Sequence, residues 1–283
     1  MSLVRLVVRY FCHITDYPIM NSTIDFVKYQ GTGNDFIIID DRNEQIQRNQ
    51  TDLIRTCCDR KFGIGADGLI LLRNHPDHDF EMVYFNADGR ESSMCGNGGR
   101  CIVAFAKRLG IIREKATFMA IDGLHEARIV GKNIELKMTD VREIEQGENF
   151  YCIHTGSPHY IKFVNNIKEI DIYSEGKNIR NSPRFKAEGI NVNFVEVTKN
   201  GIEVATYERG VEDETLSCGT GVTAAALAHY LQNGYSVGFS IPIKTKGGNL
   251  EVRFQPKDEG FTGVWLCGPA VAVFEGKIDT THF

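Results

Sequence analysis

Two cysteines stand at the head of near-identical phrases, Cys95-Gly96-Asn97-Gly98 and Cys218-Gly219-Thr220-Gly221, and each phrase runs into an apolar, helix-like segment. A thiol at a helix N-terminus sits among unpaired backbone N–H groups at the positive end of the dipole. There its pKa can fall from ~8.5 to roughly 3.5–7.5. The glycines leave those N–H groups open to an anion from outside, so each helix start offers a thiolate and a carboxylate cradle together. Taken singly, each cysteine reads as a small core residue, the usual state of a free thiol. As a repeated pair they suit a reaction in which one thiolate removes an α-proton and the opposite thiol returns one, inverting a stereocentre. No motif points to pyridoxal phosphate, and a lone Schiff-base lysine stays open.

The repeat extends beyond the cysteines. Tyr84 and Tyr207 each precede their cysteine by eleven residues, and Gly33-Asn34 and Gly156-Ser157 keep the same spacing of 123 positions. Three landmarks at one offset imply a duplicated half, with one fold occurring twice and facing itself. Two similar thiols then meet across one cleft.

The 283 residues suit two domains of ordinary size, and 42% hydrophobic and 24% charged residues are enough for an ample core. A formal charge of −5, with Lys and Arg scattered along the chain, gives no electrostatic footprint for nucleic acid or an anionic membrane. The partner implied is a small molecule. The eight cysteines, Cys12, Cys57, Cys58, Cys95, Cys101, Cys152, Cys218 and Cys267, form no Cys-x-x-Cys pair and no zinc-spaced cluster. Reduced thiols in a cytoplasm are the simpler reading for a chain this long. The apolar runs are far shorter than the ~20 residues needed to span a bilayer.

Short β-rich runs bounded by Gly, Asn, Asp and Pro dominate: Thr23 to Tyr29, Phe36 to Asp40, Gly68 to Leu72, Glu81 to Phe85, Ile134 to Met138, Ile161 to Val164, Phe194 to Val197, Glu203 to Tyr207, Leu250 to Phe254, Gly263 to Cys267 and Ala270 to Phe274. Helical spacing is confined to Asp52 to Arg60, Gly98 to Leu109 and Gly221 to Leu231, the last two followed by Gly110 and Gly234 as C-terminal stops. The fold class expected is α/β (α+β), with two pseudo-symmetric halves, each a β-barrel-like sheet around a central helix. Thr139 to Asn149 reads as a polar linker between the halves, and Asn165 to Lys186 as a solvated loop and helix. Met1 to Ile19 makes a poor signal peptide and reads as an extension ahead of Met20, with an extra edge strand as its alternative.

The run Asn86-Ala87-Asp88-Gly89-Arg90-Glu91-Ser92-Ser93-Met94-Cys95-Gly96-Asn97-Gly98-Gly99-Arg100 resembles the signature of the diaminopimelate epimerases, and Gly31-Thr32-Gly33-Asn34-Asp35-Phe36 resembles their N-terminal motif. Phe62 to Gly68, Gly156-Ser157-Pro158-His159, Asn191, Tyr207-Glu208-Arg209-Gly210 and Cys218 to Gly221 follow in the family's order, from about residue 24 to 276. The resemblance implies a cofactor-independent enzyme interconverting LL- and meso-diaminopimelate, with Cys95 and Cys218 as base and acid. It implies that Gly96, Asn97, Gly219 and Thr220 hold the α-carboxylate and that Glu208 contacts the α-ammonium. Asn34, Asn86, Asn191 and Arg209 would fix the substrate and its distal amino-acid end, where Arg209 can bind a carboxylate bidentately. It further implies half-domains of 24–139 plus about 269–280 and of 140–268 after an extension of 1–23, and a cytoplasmic homodimer without nucleic acid or membrane partners.

Two positions depart from the family's pattern. Ser157 stands where Asn is usual, so a hydroxyl replaces an amide contact, and Arg90 stands where Ser is usual. His159 reads either as a supporting group near the Cys95 side or as a satisfied core histidine. Two other readings stay open: a proline or hydroxyproline racemase of the same fold, and a non-catalytic amino-acid-binding or thiol redox protein.

Overall fold

The computed structural model describes residues 23–234, 238–258 and 260–279, so residues 1–22 of the stretch read as an N-terminal extension lie outside the described residues, while Thr23 opens the first strand. The first half of the chain forms β1 (Thr23–Gly31), β2 (Asn34–Asp40), α1 (Thr51–Cys58), β3 (Gly68–Arg73), β4 (Phe80–Asn86), α2 (Gly96–Arg108), β5 (Lys115–Ala120), β6 (Gly123–Val130) and β7 (Asn133–Lys137). The second forms β8 (Ile144–Gln146), β9 (Tyr151–His154), β10 (Pro158–Val164), a 3₁₀ turn at Ile167–Glu169, α3 (Ile172–Arg180), β11 (Asn191–Thr198), β12 (Gly201–Glu208), β13 (Asp213–Thr215), α4 (Gly219–Asn233), β14 (Ser240–Thr245), β15 (Gly248–Lys257) and β16 (Gly260–Pro269). The final strand, β17 (Val271–Asp279), pairs antiparallel with β1.

The pairing repeats strand for strand. In the first half β1·β2 is antiparallel, β2·β3 parallel, β3·β4 antiparallel, β4·β5 parallel, and β5·β6 and β6·β7 antiparallel. The second half gives the same sequence through β9·β10, β10·β11, β11·β12, β12·β14, β14·β15 and β15·β16. One further antiparallel pair, β7·β16, joins the two sheets. Gly33 and Gly156 occupy the equivalent tight turns at φ 100° and 101°, a backbone that L side chains rarely adopt.

Each sheet curls around its own helix. Parallel pairing buries both faces of β2, where Phe36, Ile37, Ile38 and Ile39 are at most 1% exposed. α4 is buried nearly all round, and its alanines 224, 225, 226 and 228 let the strands approach closely; each large aliphatic around it contributes roughly 1.5–3 kcal/mol. Both central helices start two residues earlier than their apolar spacing predicts, because the cysteines are themselves the N-caps and the intervening glycines carry no hydrophobic signal. Gly110 takes the left-handed conformation after α2, at φ 74°.

The segment read as a polar linker is more than a tether. Val141 is fully buried and bridges to Phe261, and Ile144–Gln146 pairs with β9, because two aliphatic residues in the acidic run reach the core. α3 is held by Asp171, which accepts from the Ser174 N–H at 3.0 Å, and buries Ile172 against the second sheet. No helix among the described residues is long and apolar enough to cross a membrane.

Candidate active site

α2 and α4 meet end to end. A Cβ placed on Gly96 would lie 3.7 Å from the Gly219 Cα, and the same Leu266 methyl on β16 covers both positions at 3.1 and 3.0 Å. Any side chain here would separate the two helix starts. Cys95 and Cys218, one residue ahead of each glycine, therefore stand at the same junction between the halves. Neither cysteine caps its helix by a side-chain hydrogen bond.

The thiols do not show the low pKa expected of helix-start cysteines. Burial pushes both up, Cys218 to about 12, and the Glu208 carboxylate raises both further. Backbone N–H groups do act as expected, those of Gly98 and Asn97 on Cys95 and that of Gly221 on Cys218. Desolvation outweighs them because little water reaches the cleft: Cys218 is 8% exposed, and Cys95 is half-buried. Glu208, at the end of β12, is raised by burial, an effect that Thr215 beside it offsets and Asp67 reinforces. Glu214 Oε1 is buried with no hydrogen-bond partner among the described residues.

The polar residues read from the sequence fall into two clusters. In the first, the fully buried Asn97 donates from Nδ2 to Asn34 Oδ1 and, at 3.2 Å, to the Ser217 carbonyl. Asn34 in turn donates to Asp67 Oδ2 at 3.0 Å. The Asn97 amide is thus used within the protein, which leaves its backbone N–H, not its side chain, to meet a carboxylate. In the second cluster Asn191 donates to Ser157 Oγ at 2.9 Å and accepts the Arg209 backbone N–H at 2.9 Å. The Arg209 guanidinium is exposed and donates to the Glu188 carbonyl at 3.0 Å. Asn86 is exposed at the start of the turn closed by Gly89, and Arg90 is exposed beside Asp88.

His159 belongs to the Cys218 side, not the Cys95 side. It is fully buried, with Nε2 2.9 Å from Thr220 Oγ1 and Nδ1 3.1 Å from Asn193 Nδ2, and Thr220 Oγ1 is 3.5 Å from the Cys218 sulfur. Thr206 donates to Asn193 Oδ1 at 2.9 Å, which aims the amide N–H₂ at His159 and leaves the imidazole Nε2–H to donate to Thr220. Burial lowers His159 to about 3, so the relay is neutral. Sequence reasoning missed Asn193, Thr206, Thr215 and Arg100 as site residues. The counterparts of Asn193, Thr206 and Arg100 at 123 positions away, Ile70, Val83 and Thr223, differ in type, so the repeat could not flag them.

The diaminopimelate epimerase family model matches residues 26–143 and 151–273. A diaminopimelate epimerase of Flavobacterium psychrophilum is 52% identical over 253 residues, which cover 89% of this chain and 98% of that protein. Among solved structures, a phenazine biosynthesis protein of the PhzF family from Bacillus anthracis superposes with a TM-score of 0.72 at 14% identity, over 90% of this chain and 99% of that one. A probable proline racemase from Agrobacterium radiobacter superposes at 0.65 with 15% identity, over 92% and 94%. At such identities these two likenesses concern the fold alone. Two matched halves, a repeated pairing pattern and a cysteine at each facing helix start agree with the sequence likeness: this chain belongs to the diaminopimelate epimerase family.

Proposed function

We propose that the protein interconverts LL- and meso-diaminopimelate by moving a proton at one α-carbon between Cys95 and Cys218. The observation that supports this is the close approach of Gly96 and Gly219, which brings the two cysteine-led helix starts together. One cysteine, as thiolate, takes the α-hydrogen; the other, as thiol, gives its proton to the opposite face. The inverted product leaves with the proton inventory of the pair exchanged, and the reverse direction uses the same groups in swapped roles.

The α-carboxylate lies against the first-turn N–H groups of α2 and α4, where two dipoles oppose the charge that builds on it as the α-proton leaves. Glu208, whose charge both thiols feel, receives the α-ammonium. Ser157, Asn191 and Arg209 form one hydrogen-bonded group and take the distal amino-acid end, which a proline-type substrate lacks. Incubation of LL-diaminopimelate with the protein in heavy water tests the reading: meso product with deuterium at one α-carbon supports it. Exchange of proline but not diaminopimelate would overturn it in favour of the racemase reading.

A cytoplasmic homodimer belongs to the same proposal. Val271, Val273 and Phe274 are 46%, 57% and 50% exposed along β17, whose only strand partner among the described residues is β1, and such an apolar edge suits a second copy of the chain. Sedimentation of Val273→Glu with Phe274→Glu, expected to give a monomer from a wild-type dimer, tests it.

A further inference from the structure

The two halves differ beneath their helix starts. In the second half a line of buried side chains runs from β12 to the Cys218 sulfur. Thr206 donates to Asn193 Oδ1 at 2.9 Å, Asn193 Nδ2 meets His159 Nδ1 at 3.1 Å, His159 Nε2 meets Thr220 Oγ1 at 2.9 Å, and Thr220 Oγ1 stands 3.5 Å from Cys218 Sγ. Gly221 leaves room for this line, since a Cβ there would collide with Asn193 Oδ1. In the first half the pairing register sets Ile70 opposite Tyr84 as it sets Asn193 opposite Thr206, and Phe36 beside Gly68 as His159 beside Asn191. The equivalent places thus hold Phe36, Ile70 and Tyr84, and it is the Ile70 methyl and the Phe36 ring that would lie 3.2 and 3.5 Å from a Cβ on Gly98. Asn97, in the place of Thr220, uses its amide on Asn34 and the Ser217 carbonyl. The hydrogen bonds to Cys95 come from the backbone N–H groups of Gly98 and Asn97, with none from a side chain among the described residues.

The direction of every bond in this line is fixed at one place. Asn193 Nδ2 also lies 3.1 Å from the Tyr160 carbonyl, which can only accept, so the amide cannot be turned round. Its second N–H therefore points at His159 Nδ1 and makes that nitrogen an acceptor. The ring proton sits on Nε2 and is donated to Thr220, whose own hydroxyl hydrogen is left for the sulfur 3.5 Å away. We propose that Asn193 is a positioning residue that, by fixing this tautomer, makes the Thr220 hydroxyl a hydrogen-bond donor to Cys218, a support that Cys95 lacks. No proton passes along the line; each group keeps its own. A hydroxyl bonds a thiolate more strongly than a thiol, so the arrangement favours the charged form of Cys218 in the direction in which that residue removes the α-proton. The imidazole stays neutral throughout, because burial lowers His159 to about 3 and His154 on β9 and Arg209 act in the same direction. Burial, Glu208 on β12 and Cys95 at the start of α2 all oppose ionisation of Cys218, and the Thr220 hydroxyl and the Gly221 N–H are the groups that favour it.

This inference rests on the two-thiol reading for its catalytic meaning, but its test needs no substrate. Nitrogen-15 NMR of the histidine rings, with His159 identified by the signals lost in His159→Gln, should show a protonated Nε2 and a bare Nδ1 in the wild-type protein. A proton on Nδ1 instead would overturn the proposal without recourse to any further variant. Iodoacetamide labelling of Cys95 and Cys218, followed by mass spectrometry in one sample against pH, reads the sulfur itself. Asn193→Leu and Thr220→Val should each move the Cys218 profile up by about one pH unit, a tenfold loss of thiolate at a given pH below its midpoint, and leave that of Cys95 in place. Thr220→Ser, which keeps the hydroxyl, should keep the wild-type profile. An unchanged Cys218 profile in folded Thr220→Val or Asn193→Leu would overturn the proposal, and if the leucine variant failed to fold, the tautomer and the two Thr220 variants would still decide it. A wild-type protein with the expected tautomer and profiles but no epimerisation of diaminopimelate would count against the proposed function and leave this inference standing.

Discussion

Gly219 faces Gly96 so closely that a Cβ on the former would stand 3.5 Å from the Cα of the latter. A methyl group at Gly219 would also press on the Leu266 methyl at 3.0 Å. Gly219→Ala should therefore leave a folded protein, at a cost of about 1–3 kcal/mol, while lowering kcat by roughly 10²-fold through misplacement of the thiols. Thermal melts and epimerisation rates on the same preparation separate the two effects. Wild-type turnover in the variant would mean that the contact does not set the thiol spacing.

Cys95→Ser and Cys218→Ser should each lower epimerisation by roughly 10²–10⁴-fold, since a hydroxyl is a far weaker base than a thiolate. Residual chemistry should be one-sided. With LL and meso substrates offered separately, deuterium exchange or elimination from a halogenated analogue should favour opposite stereoisomers in the two variants. Full activity in either one would refute the two-thiol mechanism.

Arg209→Lys should raise KM for diaminopimelate by about tenfold or more with little change in kcat, because a planar fork becomes a point charge. Among the described residues the side chain makes one hydrogen bond, to the Glu188 carbonyl, and it is exposed, so it can turn further donors to a carboxylate. An unchanged KM would remove Arg209 from the distal site and favour a smaller substrate.

His159 gives a pH prediction on stability. Its pKa is lowered from 6.5 to about 3 by burial, so the unfolded chain binds a proton that the folded state refuses. The contribution is fully present above pH 6.5 and is lost as pH falls towards 3, with a slope of up to roughly 1.4 kcal/mol per pH unit. His159→Gln should flatten the loss of stability below pH 6.5 in urea titrations. An equally steep acid limb in the variant would assign that limb to other groups.

Much of the site was legible because it is built from backbone. The paired cysteines and glycines define two helix starts, and their offset of 123 carries over to the turns at Gly33 and Gly156 and to the strands that flank them. The strands β5 and β6 escaped because much of what they bury is alanine, Ala116, Ala120 and Ala127, β14 because Pro242 stands between its two buried isoleucines, and β8 and β9 because they are only three and four residues long. The direction of the thiol pKa was misread for a physical reason: a helix start is visible in sequence, but the closing of a second half over it is not. Arg100 lay within a quoted motif and went unused, since the sequence does not show that it is fully buried against Asn97.

The pairing of β17 with β1 has a consequence for how the chain is made. Thr23 opposes Asp279, about 250 residues later, so the first half emerges from the ribosome with one edge of its sheet open until nearly the whole polypeptide has been synthesised. Such late closure gives a high contact order and slow completion of folding. The nascent protein must carry an unpaired edge through the synthesis of its entire second half, which is the period in which it is most exposed to aggregation and most dependent on chaperones.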